Sequence, residues 1–252
     1  MILVSNPKFC LKPFDEVLDR VEKEFKGWEI LAEKYHGWEY RERVRDALST
    51  SDLKIQVHSP LNDINLASIN NEIRKASIKE VKKSIEMAGM IDAELVTIHP
   101  GLYSPLSIYW EGAVDNSKDS LREVKDFASD IGVDVALENL PEMWLTMCST
   151  VEETREFLGE VDIDFCLDIG HAYTADELEG FLELSPVNIH IHDNFGEDDI
   201  HLKLGEGDID LRSALKSLKD YRGNFVIEGR SIEDLVESKN YLEELLRDIR
   251  AG

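Results

Sequence analysis

Short apolar runs alternate with longer amphipathic segments along the whole chain. The runs are rich in β-branched residues and are bounded by polar residues or by Gly and Pro, which is typical of buried strands. Between the runs, apolar residues recur at helical spacing, so eight helices are predicted. The eight predicted strands are Ile2 to Val4, Trp28 to Ala32, Lys54 to His58, Leu95 to His99, Val133 to Glu138, Asp164 to Asp168, Val187 to His192 and Asn224 to Glu228.

This alternation of strand and helix predicts an α/β fold with a parallel sheet covered by helices. Eight units close most simply into a (β/α)8 TIM barrel. Because 252 residues is a usual length for that fold, residues 1–252 are expected to form one domain. A doubly wound open sheet shares the local pattern, but it gathers functional groups at one switch point, whereas a barrel draws them from many strand ends.

The chain is strongly acidic, with 52 Asp and Glu against 28 Lys and Arg and a formal net charge of −24. Such a charge repels phosphate backbones and anionic membrane surfaces, so nucleic acid is disfavoured as a partner. The sequence contains neither a basic leader with an apolar core nor a membrane span, and a cytoplasmic location is expected. The oligomeric state is left open.

Three cysteines, Cys10, Cys148 and Cys166, are far apart and lack the spacing of a thiolate metal site. An odd number without such spacing fits a reducing compartment. Any metal ligand is therefore expected to be a histidine or a carboxylate.

Seven of the eight predicted strands finish on or next to a histidine or a carboxylate. All seven histidines are predicted at strand ends or just after them, and none within a helix. Imidazole and carboxylate are the ligands that zinc and manganese prefer, and charges converging on a barrel mouth need a cation among them. The strand-end residues are Glu33, His58, His99, Glu138, Asp168, His190 with His192, and Glu228.

Local motifs strengthen this interpretation. The sequences VHSP and IHPG stop their strands directly after His58 and His99, and CLDIGHA places Asp168 and His171 three residues apart around a glycine. The segment HIHDNFGEDDIHLKLGEG adds further carboxylates and imidazoles. One strand-end Glu or His is ordinarily a helix cap or a loop hydrogen-bonding residue, so the metal hypothesis depends on the set as a whole.

With these motifs the chain from His58 onward resembles the xylose isomerase-like barrel superfamily, which includes sugar isomerases, sugar 3-epimerases and endonuclease IV. In the isomerase and epimerase branches the resemblance implies one metal, held by the counterparts of Glu138, Asp168, His190 and Glu228. The two glutamates then double as catalytic acid and base. Endonuclease IV has five further ligands that make a three-zinc site, and their counterparts are His58, His99, His171, Asp199 and His201. The implied cofactor is a divalent metal, Zn or Mn, as one to three ions.

Three functions are compatible with this resemblance. The favoured one is a sugar or sugar-phosphate isomerase or epimerase that uses a metal-bound enediolate, with Glu138 and Glu228 moving the proton. The alternative is an endonuclease IV-like multi-zinc phosphoesterase. The nine ligands favour it. Against it, the DNA-gripping loops of endonuclease IV have no counterpart in the segments SNPKFCLKPF and AEKYHGWEY, and Leu61 stands where that enzyme has a tyrosine. A non-catalytic sugar-binding barrel is the third. Loss of one glutamate of the acid/base pair would indicate it, and neither glutamate is lost.

Several residues outside the ligand set are candidate substrate contacts. Aromatic residues in the loops after the fourth and fifth strands are expected to cover a sugar, although anchoring of those loops is an equal alternative. Lys203 and Arg230 are candidates for binding a phosphate, with an ordinary surface role as the alternative. The full set of candidate substrate-binding residues is Glu33, His192, Lys203, Arg230, Tyr103, Trp110 and Trp144.

Overall fold

The computed structural model describes residues 1–251, in which eight parallel strands form a closed barrel. Each strand pairs with the next along the chain, and the last pairs with the first from Ile2↔Phe225 to Ser5↔Glu228, so the sheet is not open. The predicted TIM barrel is confirmed. The strands are β1 (Ile2–Ser5), β2 (Gly27–Leu31), β3 (Lys54–His58), β4 (Val96–Ile98), β5 (Val135–Glu138), β6 (Asp164–Asp168), β7 (Asn188–Ile191) and β8 (Asn224–Glu228).

The described residues contain nine α-helices rather than the eight predicted, because two short helices connect β6 to β7. Short 3-10 turns add to the loops at the C-terminal ends of β1, β2 and β4. None of the helices in this part of the chain has the length and apolar character needed to cross a membrane. The helices are α1 (Phe14–Glu24), α2 (Arg41–Leu48), α3 (Asn71–Met90), α4 (Trp110–Ile131), α5 (Val151–Val161), α6 (Ile169–Thr174), α7 (Leu178–Leu182), α8 (Leu211–Ser217) and α9 (Ile232–Ala251).

The two faces of each strand have different neighbours. On β2, Trp28 and Ile30 pack outward against the apolar stripe of α1, which includes Phe14 and Val21. Since successive side chains of a strand alternate between faces, Glu29 between them points into the barrel. The same alternation on the other strands directs their polar terminal residues toward the barrel axis.

The apolar part of the barrel interior is small. Leu95, Ala136 and Cys166 form a separate buried cluster, whereas the helices and the outer faces of the strands share two large clusters. Buried polar residues, including Gln56, Thr97 and Asn188, share the interior with it. The barrel therefore places a polar interior directly below the C-terminal ends of its strands.

Two histidines lie in local structures that the sequence did not predict. His171 belongs to α6, so the expectation that no histidine is helical is wrong. His36 belongs to a 3-10 turn and is buried edge-on against Phe14 and Trp28, with ring centroids 5.0 Å and 5.4 Å away. Burial lowers the pKa of His36 to about 4, so this ring packs as a neutral aromatic residue.

His36 should make stability depend on pH. Its ordinary pKa of 6.5 is lowered in the fold, so its contribution is complete above pH 6.5 and decreases as pH falls toward 4. Relative to the His36→Phe variant, the wild-type protein should lose roughly 3 kcal/mol of unfolding free energy between pH 7.5 and pH 4. Denaturant unfolding of both proteins across this range measures the difference. A difference that stays constant with pH would contradict the assignment.

Candidate metal centre

All nine predicted ligands lie together at the C-terminal mouth of the barrel. Five come from the ends of β3, β5, β6, β7 and β8, His99 follows β4, His171 lies on α6, and Asp199 and His201 lie on the loop between β7 and α8. Together with Glu29 and His192 they form overlapping groups, and within each group the donor atoms all lie within 4.8 Å of one another. The groups are His171, His192, Asp199 and His201; His58, His99 and Glu138; Glu29, His190 and Glu228; Glu138, Asp168 and His171; and Asp168, His192 and Glu228.

Glu138 is at the centre of the cluster. Its Oε2 atom lies 3.1 Å from His58 Nε2 and 3.0 Å from His99 Nε2, and its Oε1 atom lies 2.9 Å from His190 Nδ1. Glu228 Oε1 lies 3.4 Å from the same nitrogen of His190. The two glutamates therefore share one histidine.

Backbone carbonyls determine which nitrogen of two histidines faces the cluster. His58 Nδ1 lies 2.8 Å from Ser59 O, and His171 Nδ1 lies 2.8 Å from Asn139 O. A carbonyl only accepts, so Nδ1 carries the hydrogen in both rings and Nε2 is the atom available to a metal. Those Nε2 atoms point at carboxylates, an arrangement that needs either a proton or a metal cation between them.

Four donors surround one position next to Asp199. Its carboxylate oxygens lie 3.4 Å from His171 Nε2, 3.3 Å from His192 Nε2 and 3.1 Å from His201 Nε2. His192 Nε2 and Asp199 Oδ1 are buried without hydrogen-bond partners, and so is Asp168 Oδ2 nearby. Buried polar atoms are ordinarily paired, so unpaired donors that converge in this way fit a divalent cation.

A glycine makes room for this group. A Cβ atom on Gly170 would lie 2.1 Å from Cε1 of His192, so no larger residue fits there without moving the ring. His201 adopts φ 46°, in the left-handed region that costs a non-glycine residue roughly 1–2 kcal/mol. The surrounding contacts must hold His201 in place.

Asp193 holds the loop that carries Asp199 and His201. Its carboxylate accepts hydrogen bonds from the backbone N–H groups of Asn194, Gly205 and Ile209, at 3.0, 2.9 and 3.3 Å. Its backbone pairs with Leu202 in both directions. Asp193 therefore orders the loop, and its carboxylate is not a member of the candidate ligand groups.

The two central glutamates have opposite pKa shifts. Burial raises the pKa of Glu138, but the charge and hydrogen bonds of the surrounding histidines, His190 first, bring it well below the ordinary value. Burial is also the largest effect on Glu228, and there it leaves the pKa raised. Burial lowers the pKa of His58, but the hydrogen bond and charge of Glu138 raise it to about 9.

A cavity of about 130 Å³ opens onto the cluster. It is reached from the loops at the barrel mouth, and none of the described residues that line it is a lysine or an arginine. Both central glutamates line this cavity, Glu138 with 1% and Glu228 with 9% of its surface exposed. The lining residues are Ser5, Pro7, Leu31, His58, Leu61, His99, Glu138, His171, Asp199, His201 and Glu228.

The structure does not bring the predicted charged substrate contacts into this cavity. The ammonium of Lys203 lies 2.6 Å from Glu237, and the guanidinium of Arg230 lies 3.7 Å from Glu206, both at the surface. Glu33 Oε1 accepts hydrogen bonds from the backbone N–H groups of residues 61 and 62 and thereby ties two loops together.

His192, also a predicted substrate contact, has no exposed surface and lies behind the cavity wall, with its Nε2 atom 3.3 Å from Asp168 Oδ1. Its Nε2 atom belongs to a group of candidate metal ligands with His171, Asp199 and His201.

The predicted sugar-covering aromatic residues also lie outside the cavity lining. Tyr103 donates its hydroxyl hydrogen bond to Glu153 and packs against Trp110, at a centroid distance of 4.9 Å. Trp110 in turn donates to the carbonyl of Ser104. Trp144 is 74% exposed. In this conformation the first two aromatic residues anchor loops and the third points into solvent.

Sequence reasoning missed Glu29, which belongs to the same group as His190 and Glu228. Its side chain is completely buried in the middle of β2. The sequence feature that could have identified Glu29 is its carboxylate within the apolar run GWEIL. A strand that is buried on both faces ordinarily contains no carboxylate.

Comparison with known proteins agrees with the fold. A protein of Methanocaldococcus jannaschii named "Uncharacterized protein MJ1311" is 36% identical, over 96% of this chain and 88% of its own length. A solved structure of a D-tagatose 3-epimerase-like protein is 30% identical, with a TM-score of 0.91 over 99% of this chain and 98% of that one. "Probable endonuclease 4" of Mycobacterium leprae is 28% identical, over 69% of this chain and 72% of its own length. Residues 18–249 match the family model described as xylose isomerase-like TIM barrel, and the chain therefore belongs to that family.

Proposed function

We propose that the protein is a divalent-metal-dependent sugar isomerase or epimerase in which Glu138 and Glu228 are the catalytic base and acid. One observation carries this proposal. Both glutamates line one small cavity, contact the same nitrogen of His190, and have pKa values shifted in opposite directions. A pair of carboxyl groups whose environments separate their pKa values suits proton removal by one and proton return by the other.

The roles follow from these shifts. Glu138, held ionised by its histidines, takes the proton from the sugar carbon beside the carbonyl group. Glu228, whose pKa is raised, holds a proton that it returns to the sugar. A divalent cation bound among these ligands supplies positive charge close to the sugar oxygens, where negative charge develops.

The cavity favours an uncharged sugar over a sugar phosphate. A phosphate group is ordinarily bound by arginine, lysine or backbone N–H groups, and no basic side chain lines the cavity in the described chain. Lys203 and Arg230 are next to carboxylates at the surface instead. The D-tagatose 3-epimerase-like relative supports a ketose as the substrate class.

The donor sets suggest two kinds of metal position. Four protein donors, His171, His192, Asp199 and His201, make a closed set of the type that structural zinc takes. The group of His58, His99 and Glu138 has three donors beside the cavity and leaves a position for a substrate atom or water. We propose that zinc binds in the closed set and that the catalytic metal binds next to Glu138.

Zinc should stabilise the metal-free protein. After EDTA treatment and dialysis, adding zinc to 100 times its Kd should raise the unfolding free energy by about 2.7 kcal/mol per site and Tm by about 5–10 °C. At one fixed zinc concentration the effect should be weaker at pH 6 than at pH 8, because the raised pKa of His58 makes protons compete with metal. Thermal unfolding and elemental analysis measure both, and at least two zinc ions per chain are expected.

The matched control for zinc binding is His36→Phe, which removes a histidine outside the cluster and should leave the zinc response unchanged. His171→Asn should weaken it. No zinc-dependent change in Tm at pH 8 would contradict the metal centre.

Glu138→Gln and Glu228→Gln should each lower turnover by about 10²–10⁴-fold, because each removes a group that moves a proton. The assay incubates ketoses and ketose phosphates in D2O and follows deuterium incorporation and epimer formation by NMR. Glu142→Gln, an exposed change on the loop that follows β5, is the matched control and should retain wild-type turnover.

Metal content is measured in the same preparations, since both glutamates are also candidate ligands. If both variants retain wild-type turnover with metal bound, the glutamates are not the acid and base. Sugar binding without exchange on any sugar would indicate the non-catalytic sugar-binding barrel instead.

A multi-zinc phosphoesterase remains the second candidate, because all five additional ligands of the endonuclease IV set lie within the cluster. The net charge of −24 and the absence of basic residues from the described cavity lining oppose it. The zinc-loaded protein should therefore leave duplex DNA with an abasic site intact, under conditions where an endonuclease IV cleaves it. Cleavage that the His99→Asn change abolishes would reverse the order of the two candidates.

A further inference from the structure

Glu29 is a buried carboxylate below the metal centre. Its side chain has no exposed surface, and its neighbours Trp28 and Ile30 point away toward α1. Glu29 is not among the residues that line the cavity, so it does not touch a substrate there. Burying an ionised carboxylate costs several kcal/mol unless partners compensate, so its contacts indicate its role.

The main partner of Glu29 is His190. The Nε2 atom of His190 lies 3.1 Å from both carboxylate oxygens of Glu29. Thr97 donates its hydroxyl hydrogen bond to Oε2, also at 3.1 Å, and Oε1 has no partner with hydrogen-bond geometry. Glu29 therefore contacts the ring of His190 on the side opposite the other two glutamates.

This contact determines which nitrogen of His190 is available to a metal. An ionised carboxylate accepts hydrogen bonds and donates none, so Nε2 carries the hydrogen. Nδ1 then presents its lone pair toward the position between Glu138 Oε1, at 2.9 Å, and Glu228 Oε1, at 3.4 Å. The metal-facing atom is thus Nδ1 in His190, whereas it is Nε2 in His58 and His171.

The chemical nature of the acceptor distinguishes His190 from those other histidines. Neutral backbone carbonyls accept from the rings of His58 and His171. A charged carboxylate in the same role increases the electron density on the opposite nitrogen and makes it a stronger ligand. Within the described chain, His190 has such a carboxylate on the side away from Glu138.

We propose that Glu29 is a positioning residue that fixes the tautomer and orientation of His190 and strengthens Nδ1 as a ligand for the metal that binds next to Glu138. The proposal rests on the metal-binding part of the proposed function and does not require any sugar chemistry. Zinc binding alone therefore tests it, and a failure to find a sugar substrate leaves it unaffected.

The test is a competition titration of zinc against a chromogenic chelator, on metal-free wild-type and variant proteins. Glu29→Gln keeps an acceptor for Nε2–H but removes the charge, and Glu29→Leu removes both. One binding step should weaken by about 10-fold in the first variant and up to 100-fold in the second. It should be the same step that His190→Ala abolishes.

The matched control is Gln56→Met, which changes the register partner of Glu29 on the neighbouring strand. Gln56 is buried and polar but has no hydrogen bond to the cluster, so every zinc affinity should remain at the wild-type value. Thermal unfolding without metal reports whether each variant folds. If Glu29→Leu does not fold, Thr97→Val is used in its place. This variant removes the other hydrogen bond to the Glu29 carboxylate and should weaken the same binding step by a smaller factor.

Nitrogen NMR of histidine-labelled, zinc-loaded protein provides a readout that a purely structural role would not change. The Nε2–H proton of His190 should appear in the wild-type protein as a strongly hydrogen-bonded, downfield signal, which moves upfield in Glu29→Gln. Wild-type zinc affinity at every step in Glu29→Gln, or a zinc-loaded wild-type protein with hydrogen on Nδ1 of His190, would overturn the proposal.

Discussion

Four carboxylates share the inner mouth of this barrel, and their mutual repulsion is the constraint that the rest of the site must satisfy. Glu29, Glu138, Asp168 and Glu228 are each at most 9% exposed. Two ionised carboxylates about 4 Å apart repel by roughly 4 kcal/mol at the effective dielectric of a protein. The histidines between them offset this repulsion when they carry protons, and a bound divalent cation would offset it without protons. The same residues therefore affect the stability of the fold and would also determine how a metal binds.

Barrel closure brings these residues together, and the sequence contained most of the information for it. Terminal residues such as His58, Asp168 and Glu228 were predictable because strands have a two-residue period, and a register slip of one residue would turn them outward. The apolar residues that alternate with them made the strands recognisable. Parallel pairing then places all the carboxyl ends at one mouth, so the cluster follows from the order of elements alone.

The parts that could not be predicted lie outside that periodicity. Loop side chains such as Lys203, Arg230 and Trp144 have no repeating pattern, so their directions depend on tertiary contacts that a sequence does not display. His192 was predicted near the site, but its place behind the cavity wall depends on Gly170, and only a structure shows that close approach. Glu29 lies in the middle of its strand, so an argument based on strand ends does not include it, although its carboxylate within an apolar run is visible in the sequence.

The additional histidines of this chain are compatible with sugar chemistry. In a phosphoesterase, each zinc ion must offer a position to the phosphate or to the attacking water, so an open coordination site is required. His192 adds a fourth donor to the group of His171, Asp199 and His201, which leaves a tetrahedral zinc no such position. That metal would instead hold the loop after β7, whose His201 adopts a strained backbone conformation and needs restraint. The number of donors at each metal position is therefore more informative about the reaction than the total number of ligands. The position beside Glu138 is the one that stays open to the cavity.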